Sequence, residues 1–209
     1  MLRTRKVQMA EPKKARVIEI DPDATLSYSD YDELLRHGRN SSMWYLGRFP
    51  SHSTKIRQRL YEKGYPRDDV RRENSEGDVE LGNLVDEIME ELELLHMLDD
   101  RLYIESKLKS TIAKGRGTAL AVRELKYKGI PEEEIEAALE GLEDELDNDL
   151  LEAVSKAAEK LMRSSPFRKA ERAWQKSMVL SGGLRAKGFD RETVDTWMES
   201  NSSIFEELN

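Results

Sequence analysis

His37, His52 and His96 are the only imidazoles in a chain of 209 residues that contains no cysteine. Without thiols there is no cysteine nucleophile, disulfide or thiolate metal site, and no two histidines stand at metal-ligand spacing. Neither a metal nor a cofactor is therefore expected. Gly115-Arg116-Gly117-Thr118 lacks the spacing and the Lys-Ser or Lys-Thr ending of a phosphate-cradling loop, so it reads as a turn between helices. Asp99-Asp100 has the composition of a catalytic carboxylate pair, but adjacent carboxylates at a helix start also cap free N–H groups and face the positive helix end. Trp44, Trp174 and Trp197 fall near apolar faces and are expected in the core. What remains is cationic: Arg57, Arg59 and Lys63, then Lys126 and Lys128, then Arg185 and Lys187. No convergent set of catalytic side chains stands out beside them. Dipole complementation explains part of their placement. Their repetition would also give an intermittent basic stripe suited to a long polymer or filament.

The elements that position these cations are marked by glycines. Leu60-Tyr61-Glu62-Lys63-Gly64-Tyr65, Leu125-Lys126-Tyr127-Lys128-Gly129-Ile130 and Leu184-Arg185-Ala186-Lys187-Gly188-Phe189 share Leu, Lys, Gly and a large apolar residue at identical offsets. Gly adopts the left-handed conformation without a Cβ penalty, Lys faces the negative helix end, and the apolar residue after Gly folds back onto Leu. Val70, Ile135 and Val194 follow each glycine at one common offset, with Pro66-Arg67-Asp68-Asp69, Pro131-Glu132-Glu133-Glu134 and Asp190-Arg191-Glu192 between. Pro and acidic residues suit a new helix start, so each glycine marks one helix ending and the next beginning. Three matched occurrences imply internal repetition.

The expected fold is all-α, with tandem three-helix repeats forming an elongated, curved array. The first unit, 28–95, has helices from Tyr31 to about Arg48, with Leu34, Leu35 and Leu46 inward, and from Thr54 to Lys63, capped by Ser53. An insertion at about 71–82 then interrupts the pattern before Leu84, Val85, Ile88, Met89 and Leu92 restore it. The second unit, 96–146, carries Leu98, Leu102, Ile104, Leu108 and Ile112, then Ala121, Val122 and Leu125. Its last stripe is Ile135, Ala138, Leu139, Leu142 and Leu146. The third, 147–209, starts with Leu150, Val154, Ala157, Leu161 and Met162. Ser164-Ser165-Pro166 then opens a helix with Phe167, Ala170, Trp174 and Met178 inward, and Val194 and Trp197 close the unit. Residues 1–27 stand outside the repeat as an N-terminal arm expected to be mobile.

Composition agrees with thin helical cores and large solvated faces: 36% of residues are charged and 38% apolar. No apolar run approaches the roughly 20 residues of a membrane helix. The basic start at Met1–Lys6 leads into no apolar segment, so no secretory signal is expected and the location is expected to be cytoplasmic. The net charge of -8 is concentrated in the middle of the chain. An acidic centre argues against tight, sequence-independent DNA binding by the whole molecule.

The ordered motifs resemble the RecX regulators of the recombinase RecA. The resemblance is strongest over about 95–143, through Leu98-Asp99-Asp100-Arg101-Leu102-Tyr103, Lys114-Gly115-Arg116-Gly117, Arg123-Glu124-Leu125-Lys126-Tyr127-Lys128-Gly129-Ile130 and Ile135-Glu136-Ala137-Ala138-Leu139. Weaker matches extend it over about 30–200. Ala119-Leu120-Ala121-Val122 departs from the basic residues that members commonly carry there, and the insertion at 71–82 is a second departure. The resemblance implies a modular helical protein that lodges in the groove of the RecA–DNA filament and restrains its growth and strand exchange. The expected role is thus a non-enzymatic regulator in DNA recombination, repair and the SOS response, acting as a monomer without a cofactor. The alternative is a helical DNA-binding protein that contacts single- or double-stranded DNA through its basic repeat faces.

Overall fold

The computed structural model describes residues 18–21 and 24–206, and the chain divides into two compact units, one ending at Leu98 and the other starting at Asp99. Most of the expected N-terminal arm, residues 1–17, lies outside the described residues. The architecture is predominantly helical, as expected, with one small sheet added to the first unit.

The first unit runs β1 (Thr25–Leu26), α1 (Tyr28–Leu46), α2 (Ser53–Glu62), β2 (Val70–Glu73), β3 (Val79–Gly82) and α3 (Leu84–Leu94). Its helix starts follow local chemistry. Ser27 caps α1 by accepting the Asp30 N–H at 3.2 Å, and Asn83 caps α3 by accepting the Asp86 N–H at 3.1 Å. The cap of α2 is His52 in place of the expected Ser53: its Nδ1 accepts the Thr54 N–H at 3.2 Å, doing the work usually left to a carboxylate or hydroxyl oxygen. The side chains of Leu84, Val85, Ile88, Met89 and Leu92 are fully buried against α1 and α2. Gly38, halfway along α1, allows this approach, since a Cβ there would overlap Ile88 Cδ1 and meet the Tyr65 hydroxyl at 2.9 Å.

The insertion at 71–82 is a β-hairpin. Val70 pairs with Gly82 and Glu73 with Val79 in antiparallel register, while β1 adds in parallel on the other side of β2. Its turn is held by Asn74, whose Oδ1 accepts the N–H groups of Glu76 and Asp78 at 2.9 Å each. Arg72 fastens the hairpin to the helices through Glu80 at 3.0 Å and Glu87 at 3.2 Å, with its guanidinium 4.4 Å above the Tyr31 ring. Tyr31 donates its hydroxyl proton to the same Glu87 at 2.7 Å.

The second unit runs α4 (Asp100–Ala113), α5 (Thr118–Tyr127), α6 (Glu132–Glu140), α7 (Glu143–Met162), α8 (Ser165–Lys169), α9 (Ala173–Ala186), α10 (Arg191–Ser200) and α11 (Ser203–Glu206). Helices of the second and third expected repeats share one core, in which Ile104, Leu108, Ile112, Leu125, Ile135, Val154, Leu180 and Val194 are at most 1% exposed. The stripe expected to run unbroken from Ile135 to Leu146 is divided at Gly141-Leu142, yet Leu142 and Leu146 remain buried. Leu102, expected inward, is exposed: it lies two residues off the buried Ile104-Leu108-Ile112 series.

The three glycine turns form as expected. Gly64, Gly129 and Gly188 have φ of +94°, +78° and +87°. The N–H groups of Tyr65, Ile130 and Phe189 return to the carbonyls of Leu60, Leu125 and Leu184 at 3.1, 3.3 and 3.3 Å. All six of those side chains are buried. After Tyr65 the chain enters β2 and not a helix, whereas after Ile130 and Phe189 it enters α6 and α10.

The turns also serve as backbone docking points. Ile18 donates its N–H to the Lys63 carbonyl at 2.9 Å, so the described end of the N-terminal segment lies against the first turn. Gly117 donates to the Lys187 carbonyl at 2.9 Å, and Ala119 to that of Gly188 at 3.2 Å. A Cβ on Gly117 would overlap the Gly188 carbonyl. Gly117→Ala is therefore expected to destabilise the second unit by about 1–3 kcal/mol, the usual cost of overpacking. Thermal unfolding followed by circular dichroism measures this, and an unchanged melting temperature refutes the close approach.

Tyr31 and Tyr65 give a second expectation. Burial raises the pKa of both phenols above the ordinary 10.0, and the hydrogen bond and charge of Glu87 raise Tyr31 further. A raised folded pKa means that stability is fully present below 10.0 and is lost as pH climbs through the raised value. Melting temperature should fall as pH rises above 10.0, and Tyr31→Phe should make the fall shallower. An identical pH dependence in the variant would contradict the assignment.

Candidate partner-binding surfaces

The seven sequence-predicted cations fall into two groups once their neighbours are seen. Arg57 is committed to the fold: it pairs with Asp86 of α3, and although burial opposes its charge, the hydrogen bond and charge of Asp86 raise its pKa. Lys126 pairs with Glu132 across the turn between α5 and α6. Arg185 lies 3.8 Å from Asp195. Arg59, Lys63 and Lys128 lie instead against rings and hydroxyls. The Arg59 guanidinium is 3.8 Å from the centre of the Tyr45 ring, Lys63 donates to the Ser41 hydroxyl, and Lys128 donates to the Tyr103 hydroxyl at 2.8 Å. Lys187 contributes its carbonyl to the turn contact with Gly117, and its side chain is half-buried. The residues are not gathered into one site.

A continuous surface does form between α1 and α2. Lys63 meets Ser41, and one turn along the seam Arg59 covers Tyr45, whose ring lies 5.2 Å from that of Phe49. Arg48 stacks 3.8 Å over Trp44, and Arg67 lies 4.2 Å over Tyr61. Flat guanidinium-on-ring contacts hold long cations in place while leaving N–H donors directed outward. Trp44 and Phe49 are 44% and 52% exposed, so this aromatic surface is open to a partner. Residues 36–67 carry eight Lys and Arg against one acidic residue, Glu62, in a chain whose net charge is -8. Burial, and then repulsion from Arg59, lower the Lys63 pKa below its ordinary value. Two neighbouring cations that disfavour each other form an attractive locus for an anionic group.

The second unit has a counterpart that sequence reasoning placed in the core. Trp174 and Met178, expected inward, are 56% and 64% exposed. The expected helix is interrupted: Ala170 and Arg172 are extended, and the Gln175 side chain accepts the N–H groups of Glu171 and Arg172 at 3.1 Å each. The restart as α9 turns Leu180 and Leu184 into the core and Trp174 and Met178 outward. Trp44 likewise departs from the expected core position. Trp197 alone among the tryptophans keeps it, donating its Nε1–H to Ser155 at 3.0 Å. Trp44 and Arg48, one helical turn apart, were a legible signal of the α1 surface; no sequence feature revealed the break before α9.

The motifs inspected for catalysis have structural work. Asp99 caps α4 by accepting the Leu102 N–H at 2.8 Å, and Gly115 closes the same helix with φ +72°. Among the described residues no helix is long and apolar enough to cross a membrane.

An expected outcome separates binding from folding at the seam. The lowered Lys63 pKa means that its charge opposes folding below the lowered value, and the opposition fades as pH rises toward 10.5. Lys63→Met should melt no lower than the parent at neutral pH and should lose that gain with rising pH. A markedly lower melting temperature would give Lys63 a structural role.

Residues 99–139 match the family model described as RecX, second three-helix domain. Regulatory protein RecX of Enterococcus faecalis (strain ATCC 700802 / V583) is 32% identical over 114 residues, covering 54% of this chain and 41% of that protein. The chain thus spans about two-fifths of the length of that curated relative. Two solved structures share the fold at 20% identity. The crystal structure of RecX from Lactobacillus salivarius superposes with a TM-score of 0.64 over 81% of this chain and 97% of that one. A crystal structure of regulatory protein RecX gives 0.61 over 81% and 73%.

Proposed function

We propose that the chain is a RecX-type, non-enzymatic regulator that binds the RecA nucleoprotein filament and inhibits its recombinase activity, a reading supported by its likeness to RecX proteins. The observation that carries this reading is the match of residues 99–139 to that domain. The role belongs to DNA recombination, repair and the SOS response. The α1–α2 seam supports it physically. Arg48, Arg59 and Arg67 lie over the rings of Trp44, Tyr45 and Tyr61, and exposed aromatic area lies among them. Arg59, Lys63 and the Trp44-Arg48 pair are the filament-contacting residues in this reading, and Lys128 and Lys187 are further contacts made by the second unit on its own. Arg57, Lys126 and Arg185, each paired with a carboxylate, contribute less.

Direct DNA binding by the same seam is the competing reading, favoured by its eight-to-one charge ratio. Titration of the protein at substoichiometric levels into a preformed RecA filament on single-stranded DNA, with ATP hydrolysis as readout, decides between them. The expected result is inhibition with little affinity for the same DNA alone, and loss of inhibition by about tenfold or more in the Arg59→Glu/Lys63→Glu variant. Unchanged hydrolysis together with steeply salt-dependent binding to bare DNA would replace the filament reading with the DNA reading.

A further inference from the structure

We propose that the outward face of α9 is a docking site for an acidic, amphipathic helical segment of a partner protein, separate from the α1–α2 seam. Trp174, Met178 and Gly182 follow one another at four-residue steps along α9, and Arg185 falls on the same face one turn further. Trp174 and Met178 are 56% and 64% exposed, and the space beyond Gly182 is open, with nothing within 4 Å of where a Cβ would project. An exposed Trp with an exposed Met one turn away is a large apolar area to leave in water on a helix that buries Leu180 and Leu184 on its other side. Trp supplies a rigid anchor and Met an adaptable one, the combination common at the centre of helix-binding surfaces.

Charge identifies the occupant. Residues 160–187 hold eight Lys and Arg against a single acidic residue, Glu171, although the chain as a whole is acidic. Arg172 stands at the start of α9, next to Arg168 and Lys169 of α8, and Arg185, whose pair with Asp195 is long at 3.8 Å and exposed, stands at the other end. The cations therefore stand about 20 Å apart along the helix at 1.5 Å per residue, and bracket a track of about 12 Å from Trp174 to Gly182. That arrangement complements a helix of two to three turns with apolar residues at i and i+4 and acidic residues at both ends. It fits a single-stranded nucleic acid less well. Such a strand needs a ring for each stacked base and cations spaced along the track, and here Trp174 is followed by Met178 and Gly182. The break before α9 is what creates the face: a continuous helix through Ala170 would have carried Trp174 into the core.

The inference does not rest on the filament reading and survives its failure. The test uses the full chain and a fluorescein-labelled 16-residue synthetic peptide with Leu at i, i+4 and i+8 and Glu at the flanking positions. Fluorescence anisotropy follows binding, with a labelled twenty-nucleotide oligothymidylate as the second probe. Saturable binding of the peptide is expected, with affinity reduced about tenfold or more by Trp174→Ala/Met178→Ala and by Arg172→Glu/Arg185→Glu. The first variant changes only solvent-facing side chains, so its helical content and melting temperature should match the parent. Met178→Gln, which alters polarity alone, should weaken the peptide by a smaller factor. Absence of peptide binding, or peptide binding that these variants leave unchanged, overturns the proposal. Oligothymidylate binding that depends on Trp174 without peptide binding would assign the face to nucleic acid instead.

Discussion

A helix that must end while its last apolar side chain stays in the core depends on one backbone device, the left-handed glycine turn. Gly64, Gly129 and Gly188 each take positive φ, and the following N–H closes onto a carbonyl a full turn back. The next apolar side chain is thereby pressed onto the leucine that precedes it. The device ends a helix, fixes the exit direction and buries two side chains together. The same turns carry exposed carbonyls, and two of them are used: Lys63 receives Ile18, and Lys187 and Gly188 receive the Gly117 turn. A residue with a Cβ at Gly117 or Gly188 would have no room, because backbone meets backbone there, with Leu120 N only 2.8 Å from where a Gly188 Cβ would lie. Repetition of the turn thus creates repeated places for one segment to rest on another.

Charge is distributed around this frame in a way that divides labour. Acidic residues dominate the middle of the chain, where they start helices and face water. Cations cluster on α1–α2 and from the last turn of α7 to the end of α9, and each cluster contains an exposed tryptophan. In the second expected repeat the corresponding helix, α5, begins with Thr118-Ala119-Leu120-Ala121, buries Ala121 and Leu125, and meets the Gly188 turn through backbone. That segment works as a packing element.

The hairpin replaces what would otherwise be a direct passage into the third helix of the first unit. It is not loosely appended. Arg72 reaches Glu80 within the hairpin and Glu87 on α3 while covering Tyr31 on α1, so one guanidinium ties three elements together. Gly82 is needed beside this cluster, since a Cβ would contact Arg72 Nε at 2.9 Å and Glu87 Oε1 at 3.0 Å. The insertion therefore keeps α3 in register with α1 despite the extra residues.

Sequence by itself determined the elements whose signals are local. The glycine turns, the Asp99 cap, the burial of Val70, Ile135 and Val194, and the apolar series Ile104-Leu108-Ile112 were all legible, because a cap or a periodic stripe depends on residues within a few positions of one another. The ordered motifs around Gly115 and Gly129 lie within the stretch that matches the second three-helix domain of RecX. Tertiary structure alone decided three things. It formed a hairpin from an irregular polar stretch, because β2 and β3 satisfy their hydrogen bonds across the turn and not along the chain. It turned Trp174 and Met178 outward, because two extended residues before α9 reset the helical phase by an amount no periodicity reveals. It also separated cations that pair with carboxylates, such as Arg57 with Asp86, from those laid on rings, such as Arg59 on Tyr45. A side chain's charge is written in the sequence, but whether that charge is already answered depends on which distant residue the fold brings beside it.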